Sequence, residues 1–255
     1  MKNIIFTIIT FLMISIAAQA SVWESDNNWS KEYDLKYSKW VKEKIGRKFF
    51  SQKNTLLYNF RTDCADALYA FRIQFSFENG LPFAMVHPDD DTRILTNKTG
   101  DFDKYKNQTK RIRAFIEYIS QEAGTLNLIK DSFPVDINDL REGDIYVTKW
   151  SFLGESARHS SIIKEINFKK GHINFLSSNY PRKVRKLIYS PRTPDFTFNR
   201  RPWGYRRWKR AYELLIPLNE ISVNRGYSEM EYDLLSKYGP SKVHKKIRNI
   251  LKTKQ

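Results

Sequence analysis

The spacing of apolar residues changes twice along the chain. Ile4 to Ala17 is an almost unbroken apolar run behind a short basic start, Met1-Lys2-Asn3. Ala18-Gln19-Ala20 then sets small residues two apart, and the chain turns polar at Ser21. This is the pattern of a secretory signal peptide, too short for a comfortable membrane span. Residues 1–20 are therefore expected to be removed and the remainder exported, to the periplasm or the extracellular space. From residue 31 the spacing is helical. Leu35, Trp40, Val41 and Ile45 predict a short helix over 31–45. Residues 63–78 predict a stronger one, with Asp63 as N-cap and Ala65, Leu68, Phe71 and Phe75 at steps of three and four. Tyr69, Ile73 and Phe77 widen that stripe, so the helix should be buried on most sides; Asn79-Gly80 and Pro82 end it. Residues 83–103 read as a loop carrying Asp89 to Asp91. Residues 104–123 read as another amphipathic helix, closed by Gly124. Beyond it the period changes to the alternation of strands, at 144–150, 158–166 and 172–178. Helices first and strands later give an α+β fold.

Composition adds a bias of charge. The chain has 255 residues, 41% hydrophobic, with a formal net charge of +16. Residues 21–180 carry a net +2 and residues 181–255 a net +13, so the C-terminal third holds the electrostatic footprint. Wall polymers, lipid head groups and extracellular nucleic acid are the polyanions that an exported protein meets. Within 182–210, Arg201, Trp203, Tyr205, Arg206, Arg207 and Trp208 interleave cations with rings. Such mixtures suit stacking on sugars or bases. They equally suit plain packing with the arginine heads reaching water. No HExxH, CxxC, GxGxxG or P-loop pattern occurs, so zinc-protease, thioredoxin, dinucleotide and P-loop readings lack support.

The single cysteine, Cys64, falls in the first turn of the 63–78 helix. Unpaired N–H groups and the helix dipole favour a thiolate there, whereas Asp63 and Asp66 oppose it. The alternative is a small apolar side chain filling a gap. Of the four histidines, His87 lies in a loop, His172 near a turn and His244 in the basic C-terminus. His159 opens a strand. If residues 158–166 and 172–178 form a hairpin centred on Lys169, His159 opposes Asn179, Ser161 opposes Ser177 and Ile163 opposes Phe175. Cysteine, histidine and an orienting polar residue form the working parts of a thiol hydrolase.

Asp63-Cys64-Ala65-Asp66 at a helix start, Gly143-Asp144-Ile145 opening a strand and His159-Ser-Ser-Ile-Ile on the next resemble the NlpC/P60 group over roughly residues 56–180. That group comprises papain-like cysteine peptidases and amidases of bacterial cell walls. The resemblance implies a Cys-bearing helix on an antiparallel sheet and cleavage of peptidoglycan stem peptides without cofactor. It implies Cys64 as nucleophile, His159 as general base and acid, and Asn179, or Ser177, as orienter. The expected organisation is a signal peptide (1–20), a helical lead (21–55), the papain-like domain (56–180) and a basic aromatic-rich extension (181–255) that holds the glycan. The partner would be peptidoglycan or another anionic envelope polymer, with nucleic acid less favoured; the protein would act as a monomer. The competing expectation is a degenerate relative that binds wall, lipid or nucleic-acid polyanions through its C-terminal region.

Overall fold

The protein is described from a computed structural model covering residues 21–152, 155–190, 200–215 and 228–254. The expected signal peptide lies outside the described residues. Among the described residues, six α-helices and antiparallel strands make a mixed α+β fold. The helices are α1 (Lys31–Lys44), α2 (Cys64–Glu78), α3 (Gln108–Glu122), α4 (Thr125–Lys130), α5 (Glu229–Tyr238) and α6 (Pro240–Lys252). The strands are β1 (Ala84–His87), β2 (Asp90–Thr96), β3 (Ser132–Pro134), β4 (Ile145–Phe152), β5 (Glu155–Asn167), β6 (His172–Ser177), β7 (Ile188–Ser190) and β8 (Arg200–Trp208). Strands β1 and β2 form a separate hairpin, which corrects the expected loop over 83–103. The main sheet has six strands in the order β3-β8-β4-β5-β6-β7. No helix among the described residues is long and apolar enough to cross a membrane.

Helices cover the sheet on both faces, and strand alternation sorts the side chains between two cores. On one face Ile145, Ile162, Leu176 and Trp208 pack with α1, α2 and α3 in the larger core. On the other, Tyr146, Ile163, Phe175 and Tyr205 pack with Val243, Ile247 and Leu251 of α6, flanked by Leu234 and Leu235 of α5. Helix α2 is buried over Ala65–Ser76, as its wide stripe predicts. Its aromatic partners come from α1 and the segment before it: Phe75 meets Trp29, Tyr37 and Trp40 at centroid distances of 5.8, 5.1 and 5.5 Å.

The expected basic extension is not an appendage. Strand β8 lies inside the sheet, paired with β3 on one side and β4 on the other, so no domain boundary falls near residue 180. Nor do residues 21–55 stand apart, because Trp23, Trp29, Val41, Ile45 and Phe50 belong to the larger core. Helix α6 seats its apolar stripe on the second face. The β5–β6 turn meets it so closely that a Cβ on Gly171 (φ +62°) would collide with the Arg248 carbonyl. Only glycine suits both that φ and that approach.

Glu231 ties α5 to β8. Its carboxylate accepts the Tyr205 N–H at 3.1 Å, and burial pushes its pKa from 4.5 up to about 8. A carboxyl whose pKa is raised on folding binds its proton more tightly in the folded state. Its contribution is therefore fully present below about pH 4.5 and lost as pH rises through about 8. Glu231→Gln is expected to remove about one proton's worth of slope, up to about 1.4 kcal/mol per pH unit, from that window. Urea midpoints measured between pH 4.5 and 8.5 check it, and parallel curves for the two proteins would refute it.

Candidate active site

Cys64 is the first residue of α2, half-buried, as its position in the sequence predicts. Asp63 caps the helix by accepting the N–H groups of Ala65 (3.0 Å) and Asp66 (3.3 Å), and the Asp66 carboxylate accepts the Asp63 N–H at 3.0 Å. This reciprocal box fixes the first turn. Arg182 donates from Nε to Asp66 and from Nη1 to Glu117 of α3, each at 2.8 Å. Burial, reinforced by the neighbouring Asp63 charge, pushes Asp66 up to about 7. The helix start thus holds two carboxylates beside the thiol, and the cation nearest them is engaged by Asp66 and Glu117.

The polar partner of the thiol among the described residues is the Thr125 hydroxyl, 3.8 Å from Sγ, at the start of α4. Thr125 was not foreseen, because nothing in the sequence links residues 64 and 125. Nearby, the Thr62 hydroxyl donates to Ser178 Oγ at 3.0 Å, and Ser178 donates back to the Thr62 carbonyl at 3.2 Å. This pair pins the segment before α2 to the end of β6.

His159 sits mid-strand in β5, opposite Thr148 of β4. The β4–β5 ladder runs without interruption from Ile145↔Ile162 to Phe152↔Glu155. Ile162 belongs to the core shared with α2, and Ile163 to the core shared with α6. Counting back by twos, Ser160 shares the α2 face, whereas Ser161 and His159 share the α6 face. Alternation therefore places His159 on the strand face of Ile163, opposite the face that packs with α2. Of the expected hairpin pairs, Ile163 opposite Phe175 is met, with Ile162 opposite Leu176; the ladder does not extend to the expected Ser161–Ser177 and His159–Asn179 pairs. A bulge at Lys164 then offsets the turn end by one residue, so Ile166 meets Ile173. Asn179 follows the end of β6, half-buried and beyond the paired ladder. Ser177 is buried and pairs through its backbone with Ile188.

The expected glycan-binding stretch is largely internal. Tyr205 and Trp208 are core residues of opposite faces, and Arg206 is 3% exposed, donating to Ser132 and the Ile129 carbonyl. Arg207 pairs with Asp144, Nε to Oδ1 and Nη2 to Oδ2, both at 2.8 Å. These residues hold the sheet together and are not open to a polymer. The backbones of Arg201 and Trp203 belong to β8, but their side chains lie outside the described residues. Among the described residues no cluster of histidine, cysteine or carboxylates is arranged to hold a metal.

Cations are instead presented by α6. Val243, Ile247 and Leu251 turn into the core, while Lys242, Lys245 and Lys252 are exposed and Lys246 and Arg248 half-exposed. None of these five enters an ion pair with a described residue; Lys246 lies over the Tyr238 ring at 4.4 Å. A search of protein-family models, of curated proteins and of solved structures found no match for this chain.

Proposed function

We propose that this is an exported, non-hydrolytic protein that binds an anionic envelope polymer such as peptidoglycan through the cationic face of α6. In outline it keeps the NlpC/P60-like order of a Cys-bearing helix, a Gly-Asp strand and a His-bearing strand. What supports a degenerate member of that group is the placement of His159 on the face away from α2, which leaves Cys64 with a hydroxyl neighbour in place of a base. A thiol hydrolase needs its nucleophile and base within hydrogen-bond reach. The observation that carries the binding reading is α6 itself: an apolar stripe locked into the core, with Lys242, Lys245, Lys246, Arg248 and Lys252 on its outer side and no ion pair to described residues. Such a face attracts a polyanion over a Debye length and loses that attraction in salt.

The test is co-sedimentation of the full chain with purified peptidoglycan across a salt series. Wild-type protein is expected to bind in low salt and release as salt rises. Lys242→Glu, Lys245→Glu and Lys252→Glu together are expected to weaken binding by more than about tenfold with an unchanged melting temperature. Cys64→Ala is expected to bind like wild type, and neither protein should release soluble wall fragments. Fragments released by wild type but not by Cys64→Ala would overturn this reading in favour of a cysteine hydrolase. Binding to DNA and not to wall polymer would overturn the choice of partner.

A further inference from the structure

A small cavity opens on the sheet face opposite α6, between α1, α2 and the turn before β4. Three arginines (Arg72, Arg141, Arg207) and three carboxylates (Asp34, Glu142, Asp144) line it, with Tyr37, Gly143 and Trp208. It leaves about 10 Å³ for the centre of a water-sized sphere. That is room for one water molecule or an ion of similar size.

The donors around it are unusual. Arg72 comes from the middle of α2 and is 4% exposed. Its guanidinium stacks on Trp29 at 3.4 Å and faces the Tyr37 ring at 5.0 Å. No described residue accepts a hydrogen bond from it or pairs with its charge, in contrast to Arg207 and Arg210, which hold Asp144 and Asp34. The Tyr37 hydroxyl and the Trp208 indole N–H are also buried without a hydrogen-bond partner. The indole N–H lies near the phenol oxygen without closing a hydrogen bond to it. Burial raises the Tyr37 pKa, so the phenol keeps its proton and can donate. Buried donors left unmade are costly, and two of them beside a guanidinium that no described residue accepts from call for a common acceptor.

The charge balance points the same way. The wall holds three arginines against three carboxylates, and every carboxylate is engaged by another cation: Asp34 by Arg210 and Arg141, Glu142 by Lys42, Asp144 by Arg207 and the Arg141 N–H. Arg72 is the wall cation left without a carboxylate partner among the described residues. A bound water would have to place its own hydrogens among groups that mostly donate, whereas a monoatomic anion accepts from all of them. Gly143 (φ +88°) completes the wall by approaching the Tyr37 ring so closely that a Cβ there would stand 3.0 Å from Cε1.

We infer that this cavity is a halide-sized anion site formed by the guanidinium of Arg72, the hydroxyl of Tyr37 and the indole N–H of Trp208. It is separate from the α6 face and stands whether or not that face binds a polymer.

Sodium bromide is the probe, titrated into the full chain at constant ionic strength with sodium gluconate as the replaced salt, whose anion is too large for the cavity. Melting temperature is expected to rise with bromide and saturate, and tryptophan emission to be quenched along the same curve because Trp29 and Trp208 border the site. Tyr37→Phe removes one donor and keeps the ring; it is expected to raise the half-saturating bromide concentration about fivefold. Arg72→Met is expected to abolish saturation. Should that variant fail to fold, Tyr37→Phe and crystals grown in bromide decide the matter, with an anomalous peak expected beside Arg72. A rise in melting temperature without saturation, an unchanged midpoint in Tyr37→Phe, or a water in place of bromide would each overturn the site.

Discussion

Phe75→Ala is expected to lower the free energy of unfolding by about 3–5 kcal/mol. The ring is 1% exposed and touches Trp29, Tyr37 and Trp40, three of the aromatic residues by which α1 and the segment before it reach α2. Alanine removes the transfer free energy of the ring and leaves a void that three rigid neighbours cannot collapse into. The edge-to-face contacts with Tyr37 and Trp40 add about 0.5–1.5 kcal/mol per pair beyond area burial. Urea denaturation followed by far-UV circular dichroism checks it: the midpoint should fall with the slope unchanged. A loss under about 1 kcal/mol would mean that α1 is not seated on α2 as described.

Asp144→Ala is the second large effect, again about 3–5 kcal/mol. Asp144 is 2% exposed at its side chain, accepts two hydrogen bonds from Arg207 at 2.8 Å and one from the Arg141 N–H at 2.9 Å. Alanine leaves the half-buried Arg207 cation with the Asp139 carbonyl but without its carboxylate partner, and the Arg141 amide unpaired. Burial raises the Asp144 pKa although the Arg207 charge opposes it, so desolvation outweighs attraction in this pair. The pair is accordingly expected to be costly to break and cheap to replace. Asp144→Leu with Arg207→Met should be more stable than either single substitution, with a coupling free energy of at least about 1 kcal/mol. Additive single effects in the denaturation cycle would contradict it.

The elements were largely legible because their signals are local. Asp63 at a cap, apolar steps of three and four, and Asn79-Gly80 at the stop fix α2 without reference to the rest of the chain. Strand register was legible for the same reason near Ile163 and Phe175, and the Lys164 bulge that offsets the turn end left no mark in the sequence. The relation of Cys64 to His159 was illegible for a different reason. Ile162 and Ile163 are adjacent and both fully buried, so β5 carries apolar residues toward both faces. Alternation says that His159 goes with Ile163, but not which of the two faces α2 covers. That depends on a second helical layer, and the residues that build it, Val243, Ile247 and Leu251, sit among lysines that read as a solvated end of the chain. The cavity at Arg72 was illegible because its donors come from residues 37, 72 and 208, which no sequence window joins. The interleaved arginines and rings of 200–208 had two readings in sequence, stacking on a ligand or packing in a sheet, and the β3 and β4 ladders on either side of β8 decide for packing.

The place of β8 has a consequence for how the polypeptide comes together as it is made. Its two neighbours, β3 and β4, emerge from synthesis about fifty residues or more ahead of it and stay unjoined until residues 200–208 arrive to bridge them. Strands β4, β5, β6 and β7 pair among themselves without it, but β3 can join the sheet only after residues 200–208 have been made. Cutting the protein before residue 200 would leave β3 without its partner strand and expose the edge of β4, as well as strip much of the positive charge.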